Sequence, residues 1–208
     1  MLAPVLVLAT VLLAGYGLLV RPRVLDWGTT PMERRAALPG DDLMPDATTV
    51  TTRGVTIRAP ANVVWPWLVQ MGQDRAGFYT HNWVERLLRS GIPDVHEVHS
   101  DWQQLKAGDL MRTNHDIGGK PLGWPVLAVD PGRSLVVRSK SLPVGTYAFV
   151  LQSIDDTSTR FLVRDRAAWK RREWLFKVLV DEPLHAYMET GLLQGVRQRA
   201  EGRPATTA

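Results

Sequence analysis

Residues Leu2 to Val20 make nineteen consecutive positions without a charge, dominated by Leu, Val and Ala. A helix over this run, at about 1.5 Å per residue, reaches roughly 28 Å, close to the hydrocarbon thickness of a bilayer. A secretory signal carries a basic segment ahead of its apolar run and a small-x-small cleavage site behind it. Here only the chain's own amino group precedes the run, and Arg21, Pro22 and Arg23 follow at once. The pattern predicts a retained transmembrane anchor over residues 1–21, with a cleaved signal as the alternative. The basic flank places the rest of the chain in the cytoplasm. A buried core helix is disfavoured, because the run has no polar face.

The remainder of the 208 residues suffices for one domain. With 45% apolar and 22% charged residues the chain has globular composition. Zero cysteines exclude a disulfide framework, a thiolate nucleophile and a cysteine-held metal. The net charge of +4 is too mild, and too dispersed, for a nucleic-acid partner.

From residue 22 to 47 the composition turns to Pro, Gly, Asp and Arg, which reads as a lead-in arm with a short helix over Pro31 to Ala37. Trp27 suits the headgroup level or a packing site on the domain. The domain proper spans 48–202, and 203–208 form a disordered tail. Thr48 to Ile57 reads as a strand. Ala59-Pro60-Ala61-Asn62 opens a helix over Val63 to Met71, and Asn82 to Arg89 a second. Strands follow at Leu110–Thr113, Pro125–Val129, Leu135–Ser139, Thr146–Ile154 and Thr159–Arg166. The short links between them allow only an antiparallel meander. Glu173 to Glu201 reads as one long helix, kinked or split at Pro183. The order defines an α+β fold, and a curved sheet closed by such a helix encloses a cavity.

Ile57-Arg58-Ala59-Pro60 leading into Val63-Val64-Trp65-Pro66-Trp67-Leu68, in this order of elements, resembles the START, polyketide-cyclase and birch-pollen-allergen-like superfamily (SRPBCC). Gln70-Met71-Gly72-Gln73-Asp74-Arg75-Ala76-Gly77-Phe78-Tyr79 is similar to a segment of its uncharacterised, often membrane-tethered bacterial members. So are Trp27-Gly28-Thr29-Thr30-Pro31 and Leu38-Pro39-Gly40-Asp41-Asp42. The resemblance covers about Trp27 to Glu201 and implies a helix-grip fold, a curved antiparallel sheet wrapped on the C-terminal helix. It implies no catalytic set and no cofactor.

Arg75 to Trp83 concentrates capable side chains. Tyr79 and His81 would hydrogen-bond a ligand head while Phe78 and Trp83 touch its body; the alternative is an aromatic corner of the core. On the last helix His185, Met188, Leu192 and Val196 share one stripe. Glu182 and Glu189 lie within reach of His185, with Glu189 the safer partner beyond Pro183. Alternation in Thr159–Arg166 turns Phe161, Val163 and Asp165 to the inward face, with Asp165 read first as a strand-end carboxylate in water and otherwise as a group near the cavity. Arg160, Arg164 and Arg166 fall on the other face and continue into Lys170, Arg171 and Arg172. That run reads as a solvated edge, or as a contact for anionic lipid. His96 and His99 read as surface loop, Gly118-Gly119-Lys120 as a turn, and no metal site is expected.

These readings converge on a membrane-tethered domain binding a lipophilic small molecule. Trp67, Phe78, Tyr79, His81, Phe149, Phe161, His185, Met188 and Leu192 are its expected lining. The alternatives are a polyketide-cyclase-like or hydrolase-like enzyme with His185 or Asp165 as general base, and a protein-interaction module.

Overall fold

The computed structural model describes residues 2–80, 95–117, 120–139 and 144–202. Six strands form one antiparallel sheet: β1 (Thr49–Ile57), β2 (Leu110–Ile117), β3 (Lys120–Asp130), β4 (Ser134–Ser139), β5 (Gly145–Asp155) and β6 (Ser158–Ala167). Their spatial order is β1-β6-β5-β4-β3-β2. The tight links Asp130–Ser134 and Asp155–Ser158 leave β3 to β6 no choice but hairpin pairing. β1 pairs with the last strand, so β6 is an inner strand and not the edge that its arginines led one to expect.

The helices are α1 (Leu2–Gly15), α2 (Arg21–Leu25), α3 (Pro31–Arg35), α4 (Ala61–Val69), α5 (Trp174–Phe176) and α6 (Glu182–Ala200). Helices over Asn82 to Arg89 and the Gly118-Gly119 turn lie outside the described residues. The C-terminal helix takes the expected place, but its register changes: a π-helical turn over Lys177–Asp181 separates α5 from α6, and Pro183 stands in the first turn of α6. There the proline's missing N–H costs little.

The N-terminal run is helical, though not as the single α-helix expected. A π-helical turn over Tyr16–Val20 divides it, and at 14 residues α1 is shorter than a bilayer crossing needs. Among the described residues no helix is long and apolar enough to cross a membrane. The backbone stays right-handed through the junctions, at φ −60°, ψ −44° for Gly15 and φ −54°, ψ −44° for Arg21.

Strand alternation divides the core in two. Val55, Ile57, Phe149, Leu151, Phe161 and Val163 face α6 and α4. Val136, Ala148, Val150 and Leu162 face the other way and are covered by Leu38 of the arm. The arm is therefore not a free spacer. Arg164, 2% exposed, donates to the carbonyls of Glu33, Arg34 and Ala36 and to Asp41 Oδ2 at 2.7–3.0 Å. Arg160 pairs with Glu33 at 2.6 Å, and Arg166 donates to the Met44 carbonyl at 3.0 Å. This corrects the expectation of a solvated or lipid-facing edge at Arg160, Arg164 and Arg166. A guanidinium has five donors, and the arm's irregular backbone supplies free carbonyls to meet them.

Candidate ligand cavity

Three neighbouring strands present matched rows to α6. Thr51, Asp165 and Tyr147 lie abreast, and Arg53, Val163 and Phe149 form the next row. His185, Met188, Glu189 and Leu192 descend on these rows from α6, and Trp124 of β3 and Phe78 close the side. A cavity of about 160 Å3 remains. Its walls are mainly aromatic. Trp124 stacks on Tyr147 with ring centres 4.9 Å apart, Phe78 tilts against Trp124 at 5.4 Å, and Tyr147 meets His185 edge-on at 6.4 Å. Offset and edge geometries of this kind are the favoured ones for ring quadrupoles.

One end is polar. Arg53, 1% exposed, ion-pairs with Glu189 Oε2, and its Nε donates to the Val24 carbonyl at 3.0 Å. The pair ties β1 to α6 across 136 positions of sequence. The second oxygen, Glu189 Oε1, is buried without a hydrogen-bond partner among the described residues. An orphaned buried acceptor costs about 1–3 kcal/mol, so it is normally met by something. Asp165, His185 and Glu189 each bring one ligand-type atom within 4.8 Å of the others. Burial pushes the Asp165 carboxyl well above the usual range; the charge of Glu189 adds to this, and Arg53 offsets only part. With Arg53 on one Glu189 oxygen, the trio forms a polar end to the aromatic cavity. His185 Nδ1 lies 3.7 Å from Asp181 Oδ2. Glu182 has turned away to Arg21 and Lys177.

Of the residues singled out from sequence, Phe78, Phe149, His185, Met188 and Leu192 border the cavity, and Asp165 stands beside its polar end. Trp67, Tyr79 and Phe161 are instead packed in the core. Trp67 and Tyr79 meet edge-on at 6.1 Å, the Tyr79 hydroxyl donates to the Trp67 carbonyl at 3.0 Å, and Phe161 is fully buried. Arg199 lies over the Tyr79 ring at 4.5 Å. His81 and Trp83 lie outside the described residues. His99 stacks on Trp102 at 4.2 Å, away from the cavity.

Sequence reasoning missed Tyr147, Trp124 and Arg53. Tyr147 shares the two-residue period of Phe149, so it was open to discovery. Trp124 precedes Pro125, where the strand was taken to begin, whereas β3 starts at Lys120. A larger groove, about 430 Å3, is lined by Trp169, Lys170, Arg171, Trp174 and Lys177. It is an open groove whose lining also takes in Thr48 and Thr49 at the start of β1.

A six-stranded antiparallel sheet holding a long C-terminal helix over a cavity defines a helix-grip-like α+β domain. Solved structures share the arrangement. The hypothetical protein jhp0584 from Helicobacter pylori matches with a TM-score of 0.52 at 13% identity, covering 83% of this chain and 99% of that one. Protein MLL2253 from Mesorhizobium loti matches at TM-score 0.45 and 14% identity, over 76% of this chain and 100% of that one. DynU16, from the dynemicin biosynthetic locus, gives 0.46 and 16%, over 74% of this chain and 48% of that one. At 13% identity the likeness to jhp0584 is one of fold alone. No protein-family model and no curated protein matches the sequence.

Proposed function

We propose that this chain is a membrane-tethered binding domain of the SRPBCC kind, which holds a lipophilic small molecule between sheet and C-terminal helix. The observation that carries the reading is the aromatic cavity with Asp165, His185 and Glu189 gathered at its end. An apolar void of about 150 Å3 holds a benzene-sized group, so 160 Å3 suits one ring or a short alkyl segment. Burial of that group, at about 25 cal/mol per Å2, supplies the affinity. A hydroxyl or amine on the ligand would satisfy Glu189 and fix its orientation. The tether is the run Leu2–Val20, whose side chains Val7, Val11, Leu18 and Leu19 are at least 59% exposed. Exposed apolar groups of this kind on a helix belong in hydrocarbon.

Native mass spectrometry of the detergent-extracted full chain tests the reading. A co-purifying lipophile, lost from Met188→Trp with the fold intact, is the expected result. An empty cavity in both, and no uptake from a lipid extract, would reject it. The second reading is an enzyme using the proton on Asp165 or the imidazole of His185, favoured by the proximity of Asp165, His185 and Glu189. It requires turnover of an aromatic polyketone or ester that falls in His185→Ala.

A further inference from the structure

The turns leading into α6 are built inside out. Lys177, Val178 and Glu182 point into the protein, and Lys177 and Glu182 are ion-paired there. Trp174, Leu175, Phe176, Leu179, Val180 and Leu184 point outward, each 46–58% exposed. A surface helix in water shows the reverse, with apolar residues facing the core. An outward apolar face of this extent marks a contact with another apolar phase.

The same segment touches the N-terminal helix. Tyr16 donates to the Val178 carbonyl at 3.3 Å, and Arg21 holds Glu182 with two hydrogen bonds of 2.7 and 2.8 Å. The apolar face is thus pinned beside the end of the Leu2–Val20 run. Beyond its other end stand the exposed cations Lys170, Arg171 and Arg172, in part along the groove with Trp169 and Trp174. Tryptophan and basic side chains at the margin of an apolar face match the headgroup layer of an anionic bilayer. The first residues after this face, His185 and Met188, border the cavity.

We propose that residues 174–184 form a second, non-spanning membrane contact, which lays the domain on the bilayer with the cavity end of α6 at the lipid surface. The tether then sets position and this face sets orientation, so a bilayer-dissolved ligand has a short path to the cavity. The proposal rests on the tether part of the functional reading and not on the ligand.

The chain has no cysteine, so nitroxide labels can be placed singly without background. The full chain is reconstituted in phosphatidylcholine–phosphatidylglycerol nanodiscs as V11C, L179C, L184C and I154C. Collisions with oxygen and with a water-soluble nickel chelate are then compared. Ile154 is 57% exposed at the far end of β5 and serves as the aqueous reference. Labels at 179 and 184 are expected to resemble that at 11, with oxygen contact exceeding nickel contact several-fold, and the label at 154 the reverse. Nickel contact at 179 and 184 equal to that at 154 overturns the proposal, and the tether survives if 11 stays lipid-like. Shielding of 179 and 184 from both reagents means a protein partner and also overturns it.

Discussion

The two faces of the sheet each bury an arginine, and they use it differently. Beneath the arm, Arg164 meets Thr52, Asp41 and three backbone carbonyls, so its fork of donors is spent on the protein itself. Beneath α6, Arg53 holds Glu189 by one oxygen and leaves the other without a partner beside an aromatic void. Each carboxylate keeps one oxygen without a hydrogen bond, but Asp41 Oδ1 has Arg166 Nη1 at 3.4 Å, whereas Glu189 belongs to the wall of the aromatic cavity. An arginine held by several backbone carbonyls is what a structural joint needs, whereas an ion pair at the end of an aromatic cavity is what a binding site needs. The difference is why the proposed binding site is on the inner face and not beneath the arm.

Removing the joint should have the largest effect. Arg164→Met leaves several buried carbonyls without their donor, while Asp41 keeps the Leu38 N–H and Arg166; each buried acceptor left unmet costs about 1–3 kcal/mol. Denaturant unfolding should show that loss, together with proteolysis of the arm near residues 33–45. An unchanged midpoint would break the contrast. Gly195→Ala comes next. A Cβ there would stand 2.2 Å from the Tyr79 carbonyl oxygen, backbone that cannot swing aside, and Tyr79 itself is held at φ 55°. Overpacking of this kind costs about 1–3 kcal/mol, readable as a lowered Tm. Met188→Trp should leave stability within about 1 kcal/mol while abolishing ligand uptake, because it fills volume that no protein atom occupies.

The smallest effect concerns pH. The folded-state pKa of Asp165 is raised, chiefly by burial, so the fold holds a proton that the unfolded chain releases above about pH 4. Stability from this group is therefore full at low pH and declines as pH rises through the raised value. Asp165→Asn should flatten that decline from about pH 4 upward, measured by thermal melts. Identical slopes would mean that Asp165 is ionised in the fold.

Much of the fold was legible because it is local. The two-residue period of β5 and β6, the turns at Asp130 and Asp155, and the stripe from His185 to Val196 all follow from neighbours in sequence. What was hidden depends on distant partners. The arm reads as a linker because Pro, Gly and Asp break regular structure, and only the arginines of β6, more than a hundred residues away, turn it into a lid. Arg53 reads as a polar residue on a strand until Glu189 is brought to it. The N-terminal run reads as one helix, while the widened turn at Tyr16–Val20 brings Tyr16 and Arg21 onto Val178 and Glu182.

Saturation-transfer NMR of the full chain in nanodiscs with ring-sized compounds is the most direct test of the inner cavity. Phenol carries a donor for Glu189 and toluene does not; Met188→Trp accounts for partition into lipid. Saturable binding of both to the wild type, tighter for phenol and absent from Met188→Trp, is the predicted result. Equal, unsaturable signals in wild type and variant would contradict the claim that this void is a binding site.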